Sequence, residues 1–206
     1  MLSICTTCKN RSVIKLKNGI LEPLPFFLKA VNKITEDVEL IISDWGSTDV
    51  PIQETVEKYI TQIPYKIINM GDKRYSMTQG RNASYENSEG EHILFIDADI
   101  AVKNKSIKSG IRKLRDGNLL FPIVFAFTES GTKKGLWCAD DFKTMMIKKD
   151  VFERVGPWKE NSMKNNMLRK ACRGCVHTKK TIREKDRGFI HHWHPSTKKN
   201  IWTRRK

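Results

Sequence analysis

Short apolar runs alternate with helical periodicities along the first two-thirds of the chain. Residues 2–6 and 39–43 (ELIIS) read as strands, each bounded by polar turn residues. Residues 52–63 place apolar side chains at 52, 56, 59, 60 and 63, the spacing of an amphipathic helix. Residues 65–70 (YKIINM) predict a third strand, 77–88 a helix, and 92–96 (HILFI) a buried strand ending at Asp97. A helix over 103–116 and a long apolar strand over 119–127 follow. Beyond Gly131 the pattern loosens. Residues 142–147 predict a strand, 149–155 a short helix stopped by Gly156 and Pro157, and 163–173 a helix with Gly174 just past its end. The tail from Lys179 is basic and reads as mostly irregular. No internal repeat or low-complexity segment is present. Strand–helix alternation of this kind predicts an α/β fold: a Rossmann-like, mostly parallel central sheet with helices on both faces. Such sheets bind ligands at the carboxyl ends of their strands, near a topological switch point.

Charge adds an asymmetry. The 206 residues carry 38 Lys and Arg against 23 Asp and Glu, a formal net charge of +15. Residues 142–206 hold 19 of the basic and 5 of the acidic side chains, so nearly all the excess lies in the last third. A near-neutral body with a basic C-terminal region points to a polyanionic partner: nucleic acid, an acidic glycan or an anionic membrane surface. No apolar run approaches the ~20 residues of a membrane span, so no integral membrane segment is expected. Residues 1–11 lack a basic stretch followed by an apolar one, so no secretory signal is expected and a cytoplasmic location follows.

Five cysteines include two CxxC pairs, Cys5/Cys8 and Cys172/Cys175. Without a secretory signal a disulfide framework is not expected. Cys172 and Cys175 with His177 form the better zinc candidate, although Cys172 also suits the apolar face of a helix.

Asp97-Ala98-Asp99 is the sharpest chemical signal. Two carboxylates one residue apart, just past a buried strand, offer hard oxygen ligands to Mg²⁺ or Mn²⁺, and such a cation also binds substrate phosphates. The surrounding motifs resemble the family 2-like glycosyltransferases of the GT-A fold. Residues 3–11 (SICTTCKNR) are similar to the first-strand segment of a bacterial and phage subgroup, and 43–49 (SDWGSTD) to the family's acidic turn. Residues 80–83 (GRNA) and 91–99 (EHILFIDAD) resemble its ARN helix and DxD strand. Residues 152–158 (FERVGPW) and 189–195 (FIHHWHP) resemble its later motifs. The matches run in family order over nearly the whole chain.

The resemblance implies one GT-A domain over 1–206, with 1–130 binding a UDP- or GDP-linked sugar and 131–206 forming a basic acceptor part. Thr6, Thr7 and Arg11 are then placed to meet the base and phosphates, and Asp44 to accept hydrogen bonds from base or ribose. The family usually has a second acidic residue where Trp45 stands. Gly46 permits a tight turn, and Asp49 is suited to cap the next helix. Arg81 would neutralise diphosphate charge, with a surface ion pair as the alternative. Asp97, Ala98 and Asp99 form the metal and nucleotide-sugar corner, while Cys5 and Cys8 line the pocket floor as reduced thiols. A late histidine completes the metal shell in such enzymes, which points to His192 or His194; ordinary hydrogen bonds holding the tail are the alternative. The family's acidic pair aligns with Ser162 and Met163, so the catalytic base is expected at Asp141 or Asp140, with Glu160 behind them.

The expected function is metal-dependent sugar transfer to a hydroxyl of a polyanionic acceptor. Hydroxymethylated pyrimidines in DNA, as in a phage-encoded enzyme acting in its host cytoplasm, come first. An acidic glycan or lipid-linked acceptor comes second. A nucleotidyltransferase would need a Gly-rich loop where Cys8-Lys9-Asn10-Arg11 stands, and a non-catalytic nucleic-acid-binding protein would leave Asp97 and Asp99 without purpose.

Overall fold

The computed structural model describes residues 1–16, 19–71, 74–116, 119–127, 133–138, 144–155, 157–158 and 181–191. In chain order these form β1 (Leu2–Cys8), β2 (Ile14–Leu16), β3 (Gly19–Leu21), α1 (Pro23–Val31), β4 (Val38–Asp44) and α2 (Ile52–Tyr59). There follow β5 (Tyr65–Asn69), α3 (Met77–Glu86), β6 (His92–Phe95), β7 (Ile100–Val102), α4 (Asn104–Asp116) and β8 (Leu119–Phe127). The last elements are β9 (Lys133–Cys138), β10 (Met145–Lys148), α5 (Lys149–Val155) and β11 (Thr181–His191).

A nine-stranded sheet runs β5-β4-β1-β6-β10-β8-β11-β7, with β9 also paired to β8. The half β5-β4-β1-β6 is wholly parallel. In the other half β11 runs parallel to β8, while β10, β9 and β7 run antiparallel to their neighbours. The chain builds outward from β1 to β4 and β5, then returns to place β6 on the other side of β1. That reversal is the switch point at which such sheets bind ligands.

Every residue of β1 and β4 is buried, as expected of strands covered on both faces. One face carries Leu2, Ile4, Leu40 and Ile42 against Leu24, Phe27, Leu28 and Val31 of α1, Val56 of α2, and Ile107 and Leu114 of α4. The opposite face carries Cys5, Ile41, Ile93 and Phe95 against Val151 and Phe152 of α5 and Trp158. Helix α3 covers this second face beside β1 and β4, where the strands turn polar side chains, Thr7 and Ser43, toward it.

Several expectations are corrected. The helix predicted over 52–63 stops at Tyr59, because Ile60 is extended (φ −104°, ψ 109°); Ile60 and Ile63 still bury their side chains, which carried the apolar spacing onward. Asp49 does not cap α2. Pro51 holds that position with no side-chain cap, and Asp49 Oδ2 instead accepts a hydrogen bond from the Val13 amide at 2.9 Å. The tail, read as irregular from Lys179, contains β11. Backbone pairing with β8 and β7 holds this charged segment extended, a tertiary effect that local propensity does not show. The hairpin β2–β3, helix α1 and strands β7 and β9 add to the predicted elements. The helix predicted over 163–173 and the Cys172, Cys175 and His177 cluster lie outside the described residues.

Candidate active site

Strand β6 delivers the two acidic residues to the carboxyl edge of the sheet. The Ile96 amide still pairs with the Cys5 carbonyl (3.1 Å), after which the chain turns, and the Ile100 amide donates to the Asp97 carbonyl at 3.0 Å. This one-turn corner holds both carboxylates beside the end of β1. Ala98 (4% exposed) packs below them in the core, where a larger polar residue would not fit the apolar surroundings. Asp99 is 7% exposed.

Helix α3 supplies the charge that faces this corner. Arg81 is 1% exposed, and its Nη2 donates to Asp97 Oδ1 at 3.0 Å. Its guanidinium also lies 5.4 Å from the Trp158 ring centroid and 6.0 Å from that of Phe95. The ion pair is thus enclosed by aromatic walls rather than lying on the surface. The close seating of α3 depends on Gly80. A Cβ there would lie 2.2 Å from Thr7 Oγ1, 2.8 Å from Thr7 Cβ and 2.9 Å from Trp45 Nε1. Hydroxyls complete the seam: Ser43 Oγ donates to the Gly80 carbonyl at 2.8 Å, and Ser84 Oγ donates to the Thr6 carbonyl at 3.0 Å. Asn82 grips Trp158 in both directions, donating to its carbonyl (2.8 Å) and accepting from its amide (2.9 Å).

At the ends of β1 and β4 the loops are stitched together. Asp44 accepts from the Ser47 hydroxyl at 2.5 Å and from the Ser47 amide at 3.2 and 3.3 Å, which fixes its carboxylate. Asn10 adopts a left-handed conformation (φ 54°), which asparagine tolerates better than most residues. Its amide donates to Ser47 Oγ (3.0 Å), and its Oδ1 accepts from the Thr48 amide (2.7 Å). The Arg11 carbonyl accepts from the Leu24 amide at 2.9 Å, so the loop carrying Arg11 is tied to α1 as well. Asp44, Arg11, Arg81, Asp97 and Asp99 therefore occupy one edge of the sheet, across the switch point.

Thr6 and Thr7 lie lower. Thr6 is wholly enclosed, and Thr7 is 5% exposed with its hydroxyl donating to the Ser43 carbonyl and accepting from Trp45 Nε1 at 3.0 Å. These threonines support the floor of the site. Cys5 and Cys8 are free, buried thiols, and burial, reinforced by nearby carboxylates, pushes both ionisations well up. They stay protonated, and neutral thiols are poor metal ligands. Trp45 is 1% exposed and carries Tyr75 on its edge, with ring centroids 5.9 Å apart at 61°. Although 39% of Tyr75 is open to solvent, crowding around its phenol and the charge of Asp97 push its ionisation up.

Asp140, Asp141, Glu160, His192 and His194 lie outside the described residues. Strand β11 brings the chain close to the acidic corner, since His191 pairs with Ile100, the residue after Asp99. Asp97 and Asp99 present the hard carboxylate oxygens that suit Mg²⁺ or Mn²⁺. Among the described residues no group of three His, Cys, Asp or Glu side chains forms a complete metal cage. The residues fit a cation held by two carboxylates and finished by other ligands, including substrate phosphate, as is usual for Mg²⁺. Also among the described residues, no helix is long and apolar enough to cross a membrane.

Sequence reasoning from strand ends and motifs reached Asp44, Arg81, Asp97 and Asp99. It missed Ser47 and Asn10, which hold Asp44 and the Arg11 loop, and Tyr75. An Asn–Arg pair after a strand and a serine three residues past its last carboxylate were the available signals for the first two.

No curated protein matches the chain. Solved structures share its fold at low sequence identity. TarS 1–349 of S. aureus in complex with UDP superposes with a TM-score of 0.69 at 14% identity, over 97% of this chain and 62% of that one. The mannosyltransferase PcManGT of Pyrobaculum calidifontis, in complex with GDP-Man and Mn²⁺, gives 0.64 at 12% identity, over 98% and 59%. The 4-diphosphocytidyl-2C-methyl-D-erythritolsynthase of Anaerococcus prevotii gives 0.59 at 11%, over 98% and 93%. The chain thus spans about 60% of the TarS and PcManGT chains, and at these identities the likeness is one of fold. That fold is the GT-A arrangement expected from the motifs. The model described as Glycosyl transferase family 2 matches residues 3–186, nearly the whole length, and the chain belongs to that family.

Proposed function

We propose that the protein transfers a sugar from a UDP- or GDP-linked donor to a hydroxyl of a polyanionic acceptor. The carrying observation is the juxtaposition of Asp97 and Asp99 with buried Arg81 on one side of the switch point and a fixed Asp44 on the other. Asp44 accepts hydrogen bonds from base or ribose, and Arg11 and Arg81 place positive charge beside the diphosphate. Asp97 and Asp99, with His194 or His192, would hold Mn²⁺ or Mg²⁺, which supplies charge neutralisation to the departing diphosphate. The pairing of His191 with Ile100 supports a late histidine in that role. Asp141 or Asp140, with Glu160 behind them, takes the proton from the acceptor hydroxyl. The hydroxyl oxygen then bonds to the anomeric carbon as the bond from that carbon to phosphate oxygen breaks.

The basic last third supports a negatively charged acceptor, bound next to a donor half that is itself near neutral. Residues 1–130 form the donor part and 131–206 the acceptor part in this reading. Hydroxymethylated DNA is the first candidate and an acidic glycan the second, with action in the cytoplasm in the first case. The test is a donor-hydrolysis screen over UDP- and GDP-sugars with Mn²⁺, run alone and with hydroxymethylated duplex DNA or heparin. One donor is expected to be consumed, faster with a polyanion, and with affinity that falls steeply between about 50 and 200 mM salt. No donor consumption under any condition sinks the transferase reading. Consumption unaffected by either polyanion sinks the acceptor assignment.

A further inference from the structure

We propose that Tyr75 is a donor-binding residue whose phenolic hydroxyl donates a hydrogen bond to the diphosphate of the nucleotide sugar, between Arg11 and the Asp97–Asp99 corner. This deepens the proposed function and rests on it. Among the described residues three large apolar or aromatic side chains are exposed: Met1 at the terminus, Ile20 on the β2–β3 hairpin, and Tyr75. Of these, Tyr75 stands at the carboxyl edge of the parallel strands. An exposed aromatic over a binding edge is a common contact for ligands.

Its position is fixed from both sides. Ser76, the next residue, caps α3 by accepting from the Gln79 amide, so the backbone at Tyr75 is anchored where the helix begins. Below, the ring rests on Trp45, which is buried and held by its hydrogen bond to Thr7. Trp45 therefore has no surface left for a ligand, and Tyr75 is the aromatic that faces outward. The phenol sits within electrostatic reach of Asp97, Arg81 and Arg11. It thus spans from the β4 end, where Asp44 stands, toward the β6 end. Among the described residues its hydroxyl has no hydrogen-bond partner, and the two guanidiniums around it make this a place for an anion. A neutral hydroxyl there adds a donor without adding charge, which suits a diphosphate that also meets a cation.

The test compares wild type with Tyr75→Phe, which keeps the ring on Trp45 and removes the hydroxyl alone. Isothermal titration with UDP and GDP in Mn²⁺ is paired with NMR titration of the parent nucleosides. The variant is expected to bind the diphosphate about tenfold to a hundredfold more weakly, the range for a hydrogen bond to a charged group. Nucleoside affinity is expected to stay within about twofold, and Tm is expected to match wild type. An unchanged diphosphate affinity overturns the proposal, as does an equal loss on the nucleoside. If wild type itself binds neither nucleotide, the donor-site reading fails first, and that result is visible before any variant is made.

Discussion

Asp99→Ala is expected to lower sugar transfer by at least about 10³-fold while leaving the fold intact. The carboxylate is one of two hard oxygen donors at the carboxyl edge, and Lewis-acid neutralisation of a leaving diphosphate is worth several kcal/mol. Each ~1.4 kcal/mol of lost transition-state stabilisation is a factor of ten in rate. Asp99 is a cleaner target than Asp97. Removing Asp97 would also take the ion-pair partner from Arg81, which is 1% exposed, and a buried cation deprived of its partner destabilises the fold. Asp99→Ala should therefore keep its Tm and lose activity, whereas Asp97→Ala should lose both. Steady-state rates beside thermal unfolding make the comparison. Full transfer by the Asp99 variant, with or without EDTA, would refute the metal assignment.

Gly80→Ala should be among the most damaging single-methyl changes in the donor half. An alanine in a helix interior usually stabilises by about 0.5–1 kcal/mol over glycine. Here the added methyl would lie 2.2 Å from Thr7 Oγ1 and 2.8 Å from Thr7 Cβ, and the second atom sits rigidly on a buried strand. Overpacking of this kind costs about 1–3 kcal/mol, and more where backbone must move. The steric term wins, for a net loss of about 2 kcal/mol and a Tm drop of about 4–8 °C in a chain of this size. The displacement would carry Arg81 away from Asp97 and strain the Trp45–Thr7 hydrogen bond, so donor affinity should fall as well. A Tm equal to or above wild type would show that α3 can shift without cost, contrary to the close seating seen here.

How much of this was legible in the chain follows from where the information lies. Strands β1, β4 and β6 are buried on both faces, so they appear as continuous apolar runs, and the acidic residues that end them stand out against that background. The motif Asp97-Ala98-Asp99 was readable because a buried strand leads directly into it. Arg81 was readable as a charge on α3, but not as a buried one, since its aromatic enclosure by Phe95 and Trp158 joins segments 14 and 77 residues away. Strand β11 was hidden because its charged sequence is held by pairing with β8 and β7. Gly80 was quoted only as part of a motif, because its close contacts are made across space with Thr7 and Trp45. Tyr75 sits in a loop with no periodicity, and its contact with Trp45 is again a tertiary one.

The central claim is that this sheet edge binds a nucleoside diphosphate through a divalent cation. Isothermal titration of UDP and of GDP, each with Mn²⁺ and with EDTA, on wild type and Asp99→Ala tests it most directly. Saturable binding of one nucleotide by wild type in Mn²⁺, lost in EDTA and lost in the variant, is the predicted result. Absence of binding by wild type, or equal binding in EDTA and by Asp99→Ala, would contradict it.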